Sequence, residues 1–260
     1  MKRLLNSIAI IMCLMLVTSC EVDNYDAPDA TIQGTFYDHN GRPLQLNHGS
    51  EYIRMREISW AKDDPDMYTG NRRLKVQQDG TYRNTKQFAG EYRMFPVEGN
   101  FFPYWDANDP VQDGDNAGVL VNISGVTTQD FTVTPYLTIE WVETPMLTPD
   151  NFIECTVRFT RNQKTGYEMP DLREGRMQIS RTVNPSGGND GDMFPTPMVL
   201  TNDMEGKVIR FRTARAVKWT GIDYWIRITM NCQTAAGNPE TNYPGMGQVN
   251  CTSIEKIFVP

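Results

Sequence analysis

Two β-sandwich domains are the architecture that this sequence predicts. Apolar and polar residues alternate in short stretches, as in ATIQGTFYD (30–38) and NFIECTVRFTRN (151–162), and this alternation is the period of a half-buried strand. Turn signals separate such stretches at Asn40-Gly41 and Asp79-Gly80, where the glycines suit hairpin turns. No long segment has a helical period, and strands spaced about ten residues apart without helices between them are typical of all-β sandwiches.

The first domain is expected over residues 31–135. Its opening strand puts Ile32, Gly34 and Phe36 on one side, since successive side chains of a strand alternate between faces. The other side is expected to hold Thr31, Gln33, Thr35 and Tyr37. In the turn DHNGRPL (38–44), Asn40 and Gly41 are expected to supply the residues with positive φ. Further strands are predicted in EYIRMREISW (51–60), RRLKVQQDGTYRN (72–84), AGEYRMFPV (89–97) and FTVTPYLTIEWVE (131–143).

The second domain is expected over residues 136–260, because prolines cluster at the boundary, at Pro135 and in VETPMLTP (142–149). Its predicted strands are NFIECTVRFTRN (151–162), GRMQISRTV (175–183), KVIRFRTA (207–214), GIDYWIRITMNCQT (221–234) and TSIEKIFVP (252–260). Cys155 and Tyr224 alternate with apolar neighbours and are expected in the core. Cys232 and Cys251 flank a loop of roughly 20 residues that a disulfide could close, and the alternative is that both stay reduced.

The N-terminus has the pattern of an export signal. Lys2 and Arg3 precede a mostly apolar run, Leu4 to Val17, which is too short to span a bilayer as a stable helix. The small residues Thr18 and Ser19 lead directly into Cys20, and Val-Thr-Ser-Cys resembles the bacterial lipobox, in which the cysteine is acylated. Residues 1–20 are therefore predicted to be a lipoprotein signal peptide that anchors the chain to a membrane through Cys20.

An acidic segment follows the predicted acylation site. Residues 21–30 contain Glu21, Asp23, Asp26 and Asp29 and few apolar side chains, so a flexible tether is expected. The segment resembles the surface-export signal of Bacteroidetes lipoproteins, which implies the outer face of the outer membrane; the alternative is a linker that faces the periplasm. The net charge of −7 argues against nucleic acid as a partner, because phosphate binding needs a basic surface.

Two stretches resemble known domains. TIQGTFYDHNGRPLQ (31–45) and DGTYRNTKQFAGEYRMFPVEGNFFP (79–103) look like the opening strands of carboxypeptidase-regulatory or transthyretin-like domains. The resemblance implies a transthyretin-like first domain and an immunoglobulin-like second domain. With the lipobox, the whole is similar to an outer-membrane lipoprotein family of Bacteroidetes known as domain of unknown function 3823, found beside starch-utilisation-type transporters and glycan-binding lipoproteins.

Catalytic signatures are missing from the sequence. It contains no Gly-x-Ser-x-Gly nucleophile elbow, no phosphate-binding loop and no His-Glu-x-x-His motif. Pairs of carboxylates that could hydrolyse a glycoside cannot be located from sequence alone. The sequence therefore favours a non-enzymatic protein without a cofactor, and a glycoside hydrolase or a metal-binding domain is the less favoured interpretation.

The segment NFFPYWDANDPVQDGDN (100–116) holds the candidate site residues. Four aromatic residues stand close together, and sugars stack on aromatic rings while carboxylates and amides bind their hydroxyls. The candidate glycan-binding residues are Phe102, Tyr104, Trp105, Asp106, Asn108 and Asp109. The alternative is that these rings fill the end of the sandwich or the interface between the domains. Asp109, Asp113 and Asp115 supply the oxygen ligands that a structural calcium ion would need, although their spacing does not fit an EF-hand.

The predicted function is accessory glycan capture or presentation for an outer-membrane polysaccharide uptake system, with a polysaccharide or oligosaccharide as ligand. The rival prediction is a protein–protein interaction or structural role, with a transporter or lipoprotein of the same system as partner. The fold supports both predictions equally.

Overall fold

The computed structural model describes residues 27–47, 51–59, 71–97, 99–104, 118–185, 193, 195–233 and 248–260. Within these ranges the regular structure is all-β apart from a short 3-10 turn at Asn202–Met204. The strands around the first hydrophobic core are β1 (Ala30–Asp38), β2 (Glu51–Glu57), β3 (Asn71–Lys75), β4 (Thr81–Gln87), β5 (Gly90–Pro96), β6 (Val119–Ile123), β7 (Val126–Thr128) and β8 (Phe131–Val133). The strands around the second core are β9 (Leu137–Leu147), β10 (Ile153–Arg161), β11 (Leu172–Ser180), β12 (Met198–Val199), β13 (Ile209–Arg212), β14 (Ile222–Cys232), β15 (Asn250–Cys251) and β16 (Glu255–Val259).

The first domain, meaning the strands β1 to β8, contains two sheets. In one sheet β1 pairs antiparallel with β4 and parallel with both β7 and β8. The other sheet has the order β3-β2-β5-β6 and is antiparallel throughout. Ile32 and Phe36 of β1 are fully buried between the sheets, whereas Gln33, Thr35 and Tyr37 are only half-buried, so the predicted alternation is confirmed at these positions. It is wrong at Thr31, which is buried where β1 pairs with β7.

The second domain, meaning the strands β9 to β16, also contains two sheets. One has the order β13-β10-β9, and in the other β14 pairs with β11, β15 and β16 while β12 pairs with β11. Cys155 and Tyr224 lie in the core between these sheets, as the alternation predicts. The all-β fold with several packed sheets is therefore confirmed.

The turn after β1 differs from the predicted hairpin. Gly41 has a positive φ of 78°, but Asn40 does not. The Asp38 carboxylate instead accepts the backbone N–H groups of Asn40 and Arg42 at 2.8 and 2.9 Å, so a side chain stabilises the turn. The chain then leaves the sheet of β1, because β2 belongs to the opposite sheet.

The disulfide considered for Cys232 and Cys251 is not formed, and Cys155, Cys232 and Cys251 are all free thiols. The pairing of β14 with β15 places Cys251 opposite Thr229, three residues from Cys232. Three residues along a strand span about 10 Å and an odd offset puts the side chains on opposite faces, whereas a disulfide needs Cα atoms within about 7 Å of each other. The reduced alternative is the one that the structure contains.

The junction between the two domains is built around an extended segment, Asn100–Phe102. Phe102 donates its backbone N–H to the Thr134 carbonyl at 2.9 Å, and Tyr136 donates to the Asn100 carbonyl at 3.1 Å. The Asn100 amide also donates to the carbonyls of Gln45 at 3.2 Å and Val249 at 3.0 Å. One side chain therefore joins a loop of the first domain to the entry of β15.

A buried arginine adds a second connection. Arg227 of β14 has no exposed surface, and its guanidinium donates to the Leu46 carbonyl of the first domain at 2.9 Å and to the Thr252 carbonyl at 3.2 Å. A buried charge needs such hydrogen bonds to offset its desolvation. At Arg227 the outer face of β14 is thus covered by the first domain, whereas Asp223 and Trp225 on the same face are only half-buried.

Candidate functional site

The residues of the predicted aromatic site fall into two groups. Some pack against the hydrophobic cores, and the others lie outside the described part of the chain. Phe102 is fully buried in the second core, where its ring centroid lies 4.6 Å from that of Tyr136. Phe102 was predicted to contact a glycan, and this is wrong because a side chain without exposed surface cannot stack on a sugar. Its neighbour Phe101 is buried in the first core, 6.0 Å from Phe36.

Tyr104 is half-buried and packs edge-on against Phe131, with 5.8 Å between ring centroids. Burial raises the pKa of its hydroxyl above the ordinary value, which fits a ring held against the first core. Trp105, Asp106, Asn108 and Asp109 lie outside the described residues, as do Asp113, Asp115 and the acylation candidate Cys20. Their predicted roles in glycan, calcium and lipid attachment stay predictions.

A cleft at the domain junction brings together a different set of side chains. Its cavity volume is about 320 Å³. One wall is the turn and loop after β1 in the first domain, and the other is the start of β9 with the β15–β16 connection in the second domain. The side chains that argue for a binding site are Asp38, Arg42, Gln45, Glu140, Trp141 and Ser253.

Trp141 supplies the aromatic surface of this cleft. It lies opposite Val157 across the β9–β10 pair, on the core side of β9, but β9 is the last strand of its sheet, so the ring is only half-buried. The indole Nε1–H donates to the Ser253 hydroxyl oxygen at 3.0 Å, and Ser253 in turn donates to the Glu255 carboxylate at 3.1 Å. These hydrogen bonds fix the orientation of the ring.

Arg42 crosses the cleft. Its Nε donates to Asp38 at 3.0 Å within the first domain, and its Nη1 donates to Glu140 of the second domain at 2.6 Å. These two carboxylates, Glu140 first, raise the pKa of Arg42 above the ordinary value. The Arg42 and Glu140 side chains are 46% and 59% exposed, so the ion pair itself stabilises the fold by only a few tenths of a kcal/mol to about 1 kcal/mol. Its effect is to fix polar groups at the mouth of the cleft.

The cleft thus combines one oriented indole with amide, hydroxyl and carboxylate groups at a domain interface, which is where ligand sites concentrate. Alternation predicts Trp141 as a core residue, since Leu137 and Ile139 on the same face are buried, and only the edge position of β9 leaves the ring accessible. Within the described ranges, no cluster of three or more His, Cys, Asp or Glu side chains could hold a metal ion.

The first domain matches a known family. The model for "Protein of unknown function (DUF3823) N-terminal domain" matches residues 30–134. The chain carries a DUF3823 N-terminal domain. No curated protein gives a significant match. Across the residues that the structure describes, no helix is long and apolar enough to cross a membrane.

Crystal structures of DUF3823 proteins share the fold of both domains. A Bacteroides uniformis DUF3823 protein superposes with a TM-score of 0.71 at 23% identity, over 90% of this chain and 100% of that one. A DUF3823 protein from Parabacteroides merdae gives a TM-score of 0.57 at 18% identity, over 89% of this chain and 100% of that one. A second Bacteroides uniformis protein, provisionally named a carbohydrate binding protein, gives a TM-score of 0.60 at 18% identity over 89% and 100% of the chains.

Proposed function

We propose that this DUF3823 protein is a non-catalytic glycan-binding lipoprotein, anchored through Cys20 to the outer face of the outer membrane and accessory to polysaccharide uptake. The half-exposed indole of Trp141 between two hydrogen-bonding walls carries the glycan assignment. The name of the second Bacteroides uniformis protein supports it. The lipobox around Cys20 and the acidic tether support the anchoring.

The chemistry of the cleft suits a sugar. The apolar face of a pyranose ring stacks on an indole, and the hydroxyls around the ring exchange hydrogen bonds with carboxylates and amides. The Gln45 side chain donates weakly to the Pro43 carbonyl at 3.4 Å, so its amide can turn to a ligand at little cost. Trp141 needs no reorientation, because Ser253 already holds its N–H, and a fixed ring loses little entropy on binding.

The ligand of the cleft is a neutral glycan. Asp38 and Glu140 lie on the two opposite walls of the cleft. The guanidinium of Arg42 between them is already hydrogen-bonded to both. A uronate or sulfate in the cleft would approach two carboxylates, and Arg42, the one cation among the described lining residues, is already engaged with both. Neutral hydroxyls can instead donate to the exposed Glu140 carboxylate.

Binding is also favoured over hydrolysis by this arrangement. A glycosidase needs two carboxylates that flank the scissile bond with space for the sugar between them. In this cleft the guanidinium of Arg42 occupies the space between Asp38 and Glu140. The two carboxylates are therefore placed to hold Arg42. The sugar contacts the outer surface of the cluster that Asp38, Arg42 and Glu140 form.

The test is affinity electrophoresis of the purified protein in native gels that contain single neutral polysaccharides. Retardation of the wild type by at least one of them is expected, with at least about tenfold weaker binding for Trp141→Ala, a loss of about 1.4 kcal/mol. Because Trp141 also packs against the second core, Trp141→Phe and Gln45→Ala are measured alongside. Trp141→Phe keeps an aromatic face and should retain partial binding, and Gln45→Ala should weaken binding without a change in melting temperature.

Phe258→Ala is the matched control, since Phe258 is another accessible aromatic residue of the second domain and does not line the cleft. Equal retardation of wild type, Trp141→Ala and Gln45→Ala would exclude the cleft as the site. No retardation by any neutral polysaccharide would remove the glycan assignment altogether.

A protein partner is the second candidate function, and an exposed aromatic side chain favours it. Phe258 on β16 is 59% exposed beside Asp223 of β14, and single exposed aromatic residues are common anchors of protein interfaces. Co-purification from detergent-solubilised outer membranes tests this candidate. A partner that is recovered with wild type, lost with Phe258→Ala and unaffected by added glycan would assign the interaction role.

A further inference from the structure

The segment from Lys207, just before β13, to Trp219, in the connection to β14, carries an unusual charge for this protein. Between Lys207 and Trp219 the sequence has the basic residues Lys207, Arg210, Arg212, Arg215 and Lys218 and no acidic residue, whereas the whole chain has a net charge of −7. A local excess of positive charge on an acidic protein creates a potential that attracts anions.

The first three of these cations are neutralised by neighbouring carboxylates. Lys207 pairs with Asp203 at 3.0 Å, Arg210 pairs with Glu154, and Arg212 bridges Asp150 and Glu154. By contrast, Arg215 and Lys218 form no ion pair with any carboxylate of the described ranges. Within the part of the chain that the structure describes, the positive charge without a paired carboxylate therefore lies at the end of the connection, next to Trp219.

Trp219 is an accessible aromatic side chain within this charge. Its ring is 45% exposed, and its backbone carbonyl accepts the Tyr224 hydroxyl at 3.1 Å, which fixes the chain at that point. Lys218 Nζ lies 4.9 Å from the ring centroid, and Arg181 Cζ, at the end of β11, lies 5.7 Å from it. Two cations from separate segments of the chain, one just after β11 and one in the β13–β14 connection, thus converge on one exposed indole.

We propose that Arg181, Arg215, Lys218 and Trp219, named here the basic patch, bind an acidic polysaccharide that bears uronate or sulfate groups. The indole offers an apolar face to a sugar ring. Lys218 and Arg181, which lie over the indole ring, are within the distance that a charged substituent of a bound sugar reaches, and Arg215 adds positive charge four residues earlier in the chain. This site is separate from the cleft and opposite to it in charge preference, so it does not depend on the function proposed for the cleft.

The composition of the patch favours a polysaccharide over a lipid surface. Docking on a bilayer requires apolar side chains that protrude into the acyl region. Trp219 is the single apolar member of the basic patch, and more than half of its surface is covered. An indole that is held in place with cations around it is better suited to stacking on a sugar ring than to insertion into a bilayer.

The test measures binding of the purified protein to immobilised polygalacturonate and to dextran sulfate, with neutral dextran as the reference polymer. At about 50 mM salt, wild type should bind at least one acidic polymer, and binding should weaken at least tenfold at about 500 mM salt because ion pairs are screened. The double variant Arg215→Gln/Lys218→Gln and the single variant Trp219→Ala should each bind at least fivefold more weakly.

Two control variants distinguish binding at the basic patch from a general effect of net charge and from binding at the cleft. Lys207→Gln removes one positive charge from the same run of sequence, but Lys207 is paired with Asp203, so acidic-polymer binding should be retained. Gln45→Ala alters the cleft without touching the second core and should also leave this binding unchanged. Far-ultraviolet circular dichroism and melting temperature confirm that each variant is folded.

Three outcomes would overturn the proposal. The first is that wild type binds no acidic polymer, and the second is that Lys207→Gln lowers binding as much as the patch variants do. The third is that vesicles with an anionic lipid bind the protein more tightly than the polymers do and lose it in the patch variants, which would assign the patch to a membrane surface.

Discussion

Phe101 and Phe102 are consecutive residues whose rings lie in two different hydrophobic cores. Phe101 is 2% exposed within the first core, and Phe102 is fully buried within the second. The segment is extended and bonded to residues 134–136, so consecutive side chains point to opposite sides. One stretch of backbone therefore ties the two domains together.

Phe101→Ala and Phe102→Ala are expected to destabilise different domains. Each substitution should lower the free energy of unfolding of its own core by about 3–5 kcal/mol, as large-to-small changes of a buried Phe do. Calorimetry with domain-specific hydrogen exchange checks this. The expected pattern is faster exchange in β1 for Phe101→Ala and in β10 for Phe102→Ala. Equal effects of both variants on both strands would contradict two separable cores.

Arg227→Met should weaken the contact between the domains. The substitution leaves the carbonyls of Leu46 and Thr252 without their buried donor, at a cost of about 1–3 kcal/mol for each unsatisfied group. Calorimetry should show two unfolding transitions further apart than in wild type. Arg227→Lys retains a donor and the charge and is expected to lie between wild type and Arg227→Met. A single unshifted transition in Arg227→Met would show that this arginine does not couple the domains.

Gly80→Ala should destabilise the first domain more than Gly41→Ala does. Both glycines have positive φ, 83° and 78°, so both changes incur roughly 1–2 kcal/mol of backbone strain. At Gly80 an added Cβ would also lie 2.7 Å from the Leu44 carbonyl oxygen, while at Gly41 there is open space. Urea denaturation of the two variants isolates the steric contribution. Equal urea midpoints for the two variants would mean that the backbone near Leu44 shifts to accommodate the added Cβ without loss of stability.

Buried thiols make the protein less stable at alkaline pH. Burial raises the pKa of both Cys155 and Cys232 to about 12, well above the ordinary thiol value of about 8.5. The folded state keeps these protons when the unfolded state has lost them. The contribution of each buried thiol to the free energy of unfolding is thus fully present below about pH 8.5. It decreases as pH rises toward 12, by at most about 1.4 kcal/mol per pH unit for each thiol.

Urea denaturation at pH 8, 9 and 10 measures this effect. Tyr82, whose pKa burial also raises, contributes only above its ordinary value of about 10, so this range isolates the thiols. Cys155→Ala should be less stable than wild type at pH 8 because of its cavity, yet its stability should fall less steeply with pH. Parallel curves for the variant and wild type would contradict the contribution of Cys155.

Cys20→Ser should abolish membrane anchoring. The serine cannot form the thioether on which acylation of a lipobox depends, so radiolabelled palmitate should be incorporated into wild type and not into the variant. Ser19→Ala changes the neighbouring small residue conservatively and should still be labelled. Absence of label in wild type would remove the outer-membrane part of the proposed function and leave the binding assignments to be tested separately.

Local patterns account for much of the fold. The alternation in ATIQGTFYD predicts β1 and its buried face, and the Asp79-Gly80 signal predicts the turn before β4, where Gly80 has positive φ. The alternation of Cys155 in β10 likewise predicts a core thiol. These features were accessible because strand period and turn geometry are properties of neighbouring residues.

Alternation predicts which side chains share a face, but not what covers that face. From Ile226 to Cys232 both faces of β14 are buried, because the second core covers one and the first domain contacts the other through Arg227. The same reason explains why Phe102 is buried. The extended segment that contains Phe101 and Phe102 runs between the two cores, so both rings are buried although alternation alone would expose one of them.

The sequence by itself determined the all-β class and most strand faces, since both follow from residues that are close along the chain. The N-terminal export signal follows from the same kind of local pattern and stays a prediction. The cleft was decided by tertiary structure. Arg42 and Glu140 are 98 positions apart and Trp141 and Ser253 are 112 apart, and they meet only because the two domains dock around Asn100 and Arg227. The position of β9 at the edge of its sheet then leaves the ring of Trp141 accessible to a ligand.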